Sequence, residues 1–429
     1  MFDVIKSAFK SPELKKKLVF TIFILVIFRI GALIPVPFVN SSALLQTMGD
    51  GNNFLGYLNM MSGGAFEQAT LFAMSITPYI NASIIIQLLT VAIPALERLQ
   101  KDGGTGREKL GKITRYLTVG LALLQATGLY FLLRNRGGFA SEFISGGWQY
   151  FVAAVVIITF TAGAALIMWL GEQINDKGIG NGISIILFAG IIARGPDAFV
   201  TLYQNFRKGG INYFLAPLTV LIFAFVIVFI VIMTNSERRI PVQYAKRVVG
   251  RKMYGGQSSY IPIKISMSGV MPIIFASAFL SLPSTISLFY TPEVGSWQYA
   301  ILNAFSPTGW IYSILYFVLI IAFNYFYVAI QYNPVEIANN IKSNNGAIPG
   351  IRPGKPTVTF ISKVISKITL VGAFFLGIIA VFPILFTGLT GFNISLGGTS
   401  IIILVGVALD TMRQLESQLT VRHHKGFLE

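Results

Sequence analysis

Side chains that could catalyse a reaction are scarce in this chain of 429 residues. It contains no cysteine, and its only two histidines are His423 and His424, which are adjacent in the C-terminal tail. Disulfides, thiolate metal sites and cysteine nucleophiles are therefore excluded, and no histidine-based triad or metalloprotease helix can form within the apolar part of the chain. The sequence thus predicts no enzyme, no metal site and no other cofactor.

A glycine-rich run is the nearest approach to a nucleotide-binding motif. Residues 178–184 read GIGNGIS, which superficially resembles a phosphate cradle. The run lacks the lysine of a P-loop and leads directly into an apolar segment. We therefore interpret its glycines as allowing a sharp turn into that segment.

Ionisable groups at membrane depth, which ion-coupled transporters need, are also few. Arg29 is the one basic residue well inside an apolar segment, and Asp410, near the end of the last such segment, is the nearest acid. We favour snorkelling or structural pairing of Arg29 over a transport role. No pair of buried carboxylates is visible, so any conduit would have an apolar lining.

Polar groups of another kind interrupt the segment 75–91, SITPYINASIIIQLLTV. Pro78 has no N–H and disfavours helical geometry at the preceding residue, so a helix should begin or bend there. Isoleucines recur at every fourth position from Ile76, while Asn81 and Gln87 place amides elsewhere on the same helix. Such groups are costly in hydrocarbon unless they face protein or water, so the segment belongs inside a bundle.

The composition requires the elements around these residues to be membrane spans. The chain is 54% hydrophobic and only 12% charged, with a mean hydropathy of +0.69, whereas soluble domains are about one quarter charged. Segments of about 20 apolar residues predict ten transmembrane helices in an all-α polytopic membrane protein. They are 18–37, 75–94, 114–133, 150–171, 183–199, 214–234, 268–289, 310–332, 368–388 and 398–412. The first is too long for a cleaved signal peptide and is predicted to be retained.

The distribution of basic residues predicts the orientation. With the N-terminus inside, the cytoplasmic segments carry 27 of the 33 Lys and Arg residues and the outer segments carry five. The positive-inside rule then places both termini in the cytoplasm. The net charge of +16 therefore indicates a basic cytoplasmic face. Nucleic acid is expected there only as part of a docking particle such as a ribosome.

A short repeat predicts the symmetry. Residues 78–83 and 272–277 both read P-x-I-x-A-S and fall in spans two and seven, so the two copies run in opposite directions. This arrangement is typical of inverted repeats, whose functional site lies near the midplane between the halves. We predict an N-terminal half at 1–199, a hinge loop at 200–213, a C-terminal half at 214–412 and a cytoplasmic tail at 413–429.

Three regions outside the spans leave alternatives open. The segment 62–75, SGGAFEQATLFAMS, is apolar but too short to span, so it is either an interfacial helix or a re-entrant helix hinged at Gly63 and Gly64. The cytoplasmic loops 235–267 and 333–367 are long and mix Tyr, Ile and Val with Arg. Their charges either set the topology only or form a docking site for a large partner.

Five stretches together resemble the SecY family, the channel subunit of bacterial protein translocation. They are 75–91, quoted above, WLGEQINDKGIGNGISIILFAGI at 169–191, MSGVMPIIFASAFL at 267–280, GIRPGKPT at 350–357 and FNISLGGTSIIILV at 392–405. The resemblance runs the length of the chain with the motifs in order. It implies two inverted five-helix halves around a central hourglass pore, closed above its waist by a short re-entrant plug helix.

The resemblance also implies site residues. The aliphatic ring at the waist would be Ile76, Ile80, Ile183, Leu187, Ile274 and Ile403. The plug segment, residues 62–72, would comprise Ser62, Gly63, Gly64, Ala65, Phe66, Glu67, Gln68, Ala69, Thr70, Leu71 and Phe72. An apolar ring suits passage of any polypeptide, because it offers no charge or fixed hydrogen bond to retain one, and a narrow apolar neck disfavours water and ions.

A lateral gate to lipid and a cytoplasmic docking surface are implied as well. Asn81 and Gln125 match polar gate positions that could hydrogen-bond across the closed gate, with Ser277 and Ser281 as candidates for the third partner. The docking residues would be Arg251, Lys252 and Arg352. The implied partners are SecE, SecG, the SecA motor ATPase, the ribosome, signal peptides, nascent secretory or membrane proteins, and membrane lipids.

Two functions therefore compete. The resemblance favours a passive channel in a bacterial plasma membrane that passes unfolded secretory polypeptides and releases transmembrane segments into the bilayer. The residues alone leave open an inverted-repeat secondary transporter for a small solute, which would need polar or ionisable groups at the midplane. An intramembrane enzyme lacks a nucleophile–base pair or a metal constellation.

Overall fold

The structure is a computed structural model that describes residues 2–40, 59, 62–135, 137–140, 147–207, 209, 212–244, 247–249, 252–254, 258–286, 296–297, 304–305, 309–390 and 398–425. Its helices are α1 (Phe2–Lys10), α2 (Pro12–Gly31), α3 (Thr77–Ala92), α4 (Pro94–Lys101), α5 (Gly104–Asn135), α6 (Trp148–Lys177), α7 (Gly182–Ala193), α8 (Gly195–Arg207), α9 (Asn212–Asn235), α10 (Met271–Ile286), α11 (Trp310–Gln331), α12 (Pro334–Ser343), α13 (Lys355–Thr390) and α14 (Gly398–Lys425). Its strands are β1 (Glu237–Tyr244), β2 (Arg247–Val249), β3 (Lys252–Tyr254), β4 (Ser258–Lys264) and β5 (Gly346–Ala347).

Each of the ten predicted spans overlaps at least one helix of the described residues, although the bounds differ at several ends. By length and apolar composition alone, six of these helices could cross a membrane, or seven if α3 and α4 count as one span bent by 102°. The bend falls where Pro94 opens α4, because proline cannot continue the hydrogen-bond ladder of α3. The fifth predicted span is α7 followed directly by α8, together 26 residues long.

The helices pack as two groups that meet along two seams. In the first group α6 packs against α2, α5 and α7, and α5 packs against α3. In the second group α11 packs against α10 and α13, and α13 packs against α14. The groups meet where α3 contacts α10 and where α7 contacts α14, so both copies of P-x-I-x-A-S lie at the first seam. One apolar cluster runs through both seams.

The link between the two groups differs from the predicted loop at 200–213. Helix α8 continues to Arg207 and α9 begins at Asn212, so most of this stretch is helical. The residues of α8 explain the difference, because Phe199, Tyr203 and Phe206 recur at helical spacing and give it an apolar face.

A small sheet was not predicted and forms within the two long loops that were predicted to be cytoplasmic. Strands run antiparallel in the order β4-β1-β5, and β1 pairs with β4 from Glu237 opposite Lys264 to Gln243 opposite Ser258. Ile240 and Val242 alternate inward along β1 and join a separate apolar cluster with residues of α12 and α13. The loop at 235–267 thus has a core of its own that holds it against the loop at 333–367.

Candidate functional site

The six predicted ring residues come together where the two helix groups meet. Ile76 precedes α3, Ile80 is on α3, Ile183 and Leu187 are on α7, Ile274 is on α10 and Ile403 is on α14. Five of them are at most 2% exposed and belong to one apolar cluster, and Ile183 packs against its edge. The two seams described above therefore each contribute residues to a single apolar cluster, and the ring itself remains a prediction.

Local sequence explains how the ring helices are placed. Pro78 occupies the first turn of α3, where its missing N–H costs nothing, so the helix begins at Thr77 as predicted. Helix α7 begins at a cap made by Asn181, whose side-chain oxygen accepts hydrogen bonds from the backbone N–H groups of Ile183 (3.1 Å) and Ser184 (3.4 Å). Pro78 in α3 and the Asn181 cap of α7 thus define the starts of two helices that carry ring residues.

The glycine-rich run forms the predicted sharp turn between α6 and α7. A Cβ atom placed on Gly182 would lie 1.9 Å from the carbonyl oxygen of Gly171, so only glycine allows the two helices to approach this closely. The N–H of Gly182 also donates to Asn175 Oδ1 at 2.8 Å. The run therefore serves packing around the ring.

The plug segment (62–72) is built from successive turns, which differs from the predicted short helix. Gly63, Gly64 and Ala69 have positive φ values of 67°, 89° and 49°, which a right-handed helix does not contain. Tertiary hydrogen bonds replace the helical ones: Val36 N–H donates to the Ala69 carbonyl at 2.9 Å, and Leu71 N–H donates to the Ile34 carbonyl at 2.8 Å. The segment is thus pinned to the chain that follows α2.

Aromatic packing seats the end of the plug segment. The Phe72 side chain is 1% exposed and stacks on Phe28 of α2, with ring centroids 5.8 Å apart and an interplanar angle of 10°. Gly31 permits this, because a Cβ atom there would lie 2.1 Å from the Phe72 ring. A Cβ atom on Gly163 of α6 would likewise lie 1.9 Å from the Leu71 carbonyl oxygen. The segment therefore fits between α2 and α6 only because both positions are glycine.

Asn81, one of the predicted gate residues, does not donate the hydrogen bond that was expected across the gate. This residue is 3% exposed, and its amide nitrogen has no hydrogen-bond partner in the described part of the chain. Ser277 and Ser281 donate to carbonyls of their own helix, those of Ile274 at 2.9 Å and Ala278 at 2.6 Å. Gln125 is half-buried on α5. The lateral gate remains a prediction.

Two of the three predicted docking residues lie in the described part of the chain. Arg352 is exposed in the turn before α13, Lys252 lies on β3, and Arg251 lies outside the described residues. The Arg239 guanidinium lies 4.7 Å from the centroid of the Tyr260 ring, a cation–π contact between β1 and β4. The Glu237 carboxylate accepts a 2.8 Å hydrogen bond from Arg239 and raises the pKa of that guanidinium, so its positive charge is retained.

Several contributing residues were missed by sequence reasoning. Phe28, Gly163 and Arg194 contact the plug segment from positions distant in sequence, and Asn59 contacts it from three residues before its start; no local pattern marks any of them. The predicted structural role of Arg29 agrees with its contact, since Nη1 lies 3.4 Å from the Gly63 carbonyl oxygen. Among the described residues no group of three or more His, Cys, Asp or Glu side chains could hold a metal ion.

The fold and site together define a multi-span helical membrane protein of the channel class, with a buried apolar cluster between two helix groups and a segment packed beside it. The SecY family model matches residues 70–412. The chain is 44% identical to the protein translocase subunit SecY of Streptomyces coelicolor and 46% identical to that of Streptomyces griseus, in each case over the whole of both chains. This chain therefore belongs to the SecY family.

Solved structures agree on the fold. The chain superposes on a protein-conducting channel with a TM-score of 0.66 at 21% identity, covering 96% of both chains. It superposes on canine Sec61 from a ribosome–channel complex with a TM-score of 0.60 at 19% identity and the same coverage. These findings confirm the predicted fold class and the prediction of a non-enzyme. The alternative of a solute transporter finds no support.

Proposed function

We propose that this chain forms a protein-conducting channel whose closed waist is the ring Ile76, Ile80, Ile183, Leu187, Ile274 and Ile403. The observation that supports this most is the convergence of these residues, from four separate helical regions, into one nearly inaccessible apolar cluster. Branched aliphatic side chains can move aside for a polypeptide without holding it, and they exclude ions when they close. The names of the relatives, all protein translocase subunits, agree with this function.

The plug segment is proposed to seal the ring when no polypeptide is present. Its burial against α2 and α6 supports a seated, closed position. A SecY protein of the same fold, with a TM-score of 0.65, is described as having a plug domain that stabilises the closed state. In the open channel the segment would leave, and membrane segments of the cargo would exit between α3 and α10, near Asn81.

The partners and location follow from the same proposal. A ribosome is the proposed partner for the small sheet and for the antiparallel pair of β2 and β3, which carries Arg247 and Lys252. Two channels of this fold, canine Sec61 and yeast Ssh1, are described in ribosome complexes. SecA is proposed to contact Arg352, and SecE and SecG to complete the membrane complex. The bacterial relatives favour a plasma membrane location, and the basic loops favour cytoplasmic termini.

Cysteine crosslinking tests the channel directly, because the natural chain contains no cysteine. Ile80→Cys or Ile403→Cys would be paired with a cysteine in the middle of a secretory chain stalled during translocation. The matched control is Phe23→Cys on α2, whose side chain is 58% exposed on the outside of the bundle. Disulfides at both ring positions and none at the control are expected. If neither ring position forms a disulfide although the stalled chain is engaged in the channel, the assignment of the ring residues is wrong.

A further inference from the structure

Glu67 in the plug segment is held by side chains from outside that segment. Asn59 Nδ2 donates to Glu67 Oε2 at 2.5 Å, and the Glu67 backbone N–H donates in return to Asn59 Oδ1 at 3.1 Å. Arg194 Nη2 lies 3.5 Å from the same carboxylate oxygen. The carboxylate is therefore oriented by Asn59 toward a single guanidinium.

The charge of Arg194 needs this ion pair more than the charge of Glu67 does, because Arg194 is the more buried of the two side chains. The Arg194 side chain is 17% exposed against 32% for Glu67, and its Nε is buried without a hydrogen-bond partner in the part of the chain that the structure describes. A charge withdrawn from water is costly unless it is paired. Without Glu67 the seated plug segment would cover an uncompensated positive charge.

The ion pair joins the plug segment to a ring helix. Arg194 directly follows α7, the helix that carries Ile183 and Leu187. A second contact lies at the same end of the segment, where Arg29 Nη1 approaches the Gly63 carbonyl oxygen and the Gly63 backbone packs on Gly190 of α7. These contacts thereby tie the plug segment to a helix that carries two of the predicted ring residues.

We propose that Glu67 and Arg194 form a charge latch that sets how readily the plug segment leaves its seated position. This inference rests on the proposed channel function. When the segment leaves, Arg194 becomes hydrated and its charge no longer needs the carboxylate. Removal of the Glu67 charge therefore destabilises the seated state selectively and raises the population of the displaced state.

The test measures exposure of the plug segment in the assembled translocase. Ala65 is 1% exposed, so Ala65→Cys should react with a membrane-impermeant maleimide, applied to the outer face, only when the segment is displaced. Glu67→Gln, which keeps the hydrogen bond from Asn59, should raise the labelling rate by about tenfold, equivalent to about 1.4 kcal/mol. The matched control, Glu97→Gln, removes an exposed carboxylate paired with Lys101 on α4 and should leave the rate unchanged.

A charge swap separates a latch from a general loss of structure. The double variant Glu67→Arg with Arg194→Glu should restore slow labelling, whereas each single reversal should accelerate it. Labelling of Glu67→Gln at the parent rate, or a swap as fast as the single reversals, would overturn the latch. Crosslinking of Ile403→Cys to a stalled chain is measured in the same variants. If the latch test fails but this crosslink still forms, only the latch is wrong. If the crosslink does not form, the channel proposal is refuted.

Discussion

The contact between Phe72 and Gly31 offers a sharp test of how the plug segment is seated. A methyl group added at Gly31 would lie 2.1 Å from the Phe72 ring, far inside van der Waals contact. Gly31→Ala must therefore push this ring out of its stack on Phe28. If the plug segment seals the channel, the substitution should favour its displaced state. Phe72→Ala should do the same by deleting the contact.

The size of each effect follows from core-packing energetics. Overpacking typically costs about 1–3 kcal/mol, so Gly31→Ala at about 2 kcal/mol should raise the ratio of displaced to seated segments about 30-fold. A buried Phe→Ala change costs at least about 3 kcal/mol, which corresponds to about 100-fold. In the double variant the new methyl group occupies space that the ring has vacated. We therefore expect no more displacement than in Phe72→Ala alone, although independent effects would multiply to about 3,000-fold.

The labelling rate of Ala65→Cys reports this ratio, provided that the segment opens and closes faster than the maleimide reacts. Phe23→Ala is the control, since it deletes an aromatic ring of α2 that is 58% exposed and faces away from the plug segment. If the double variant shows the product of the two single effects, Gly31 and Phe72 do not share a contact. Parent-like labelling in both single variants would show that this packing does not hold the segment.

Three further predictions address the neighbouring contacts. Gly163→Ala places a methyl group 1.9 Å from a backbone carbonyl of the plug segment and should accelerate Ala65→Cys labelling by about tenfold or more, whereas Gly120→Ala, with open space around its Cβ, should not. Ile274→Asn introduces an amide into the ring and should raise ion conductance of reconstituted, resting channels at least about tenfold; unchanged conductance would contradict an apolar seal. Arg352→Glu should slow SecA-driven translocation at least about tenfold without raising resting conductance, and equal slowing by the exposed Lys363→Glu would refute a specific contact.

The membrane-spanning part of the fold was predictable because its signals are local. Apolar length fixes each span, and Pro78 fixes the start of α3. The ring positions followed from the family resemblance and from the isoleucines of span two. The repeat at 78–83 and 272–277 predicted two inverted halves, and the two copies lie on α3 and α10, which are in contact.

The plug segment was harder to predict because its conformation is set by distant contacts. Its apolar sequence is compatible with a helix, but the hydrogen bonds from Val36 and Leu71 and the positive φ of Ala69 require turns. Partners such as Phe28 and Arg194 come from helices that are remote in sequence. The residues adjacent in sequence to the plug segment therefore give no indication of these contacts.

The small sheet of β4, β1 and β5, in contrast, could have been predicted from the alternation of apolar residues along its strands. Ile240 and Val242 lie two residues apart on β1 with Pro241 exposed between them, and Ile261 and Ile263 have the same spacing on β4, which is the period of a half-buried sheet. The many basic residues of the loop were interpreted in terms of membrane topology and docking, and the strand pattern was therefore not recognised. Charge and periodicity therefore have to be considered separately in such loops.

The closed state combines two kinds of contact whose physics suits different tasks. Apolar packing at the ring is non-directional, so the six side chains can seal without fixing a register and can part around any polypeptide. In the proposed channel, the plug segment must instead return to one position after each polypeptide has passed. Directional contacts meet this need, because Glu67 with Arg194 and the backbone bonds to Ile34 and Val36 are satisfied in one arrangement only. Water can replace those polar partners when the segment leaves, so the same contacts that define the seat also allow its release.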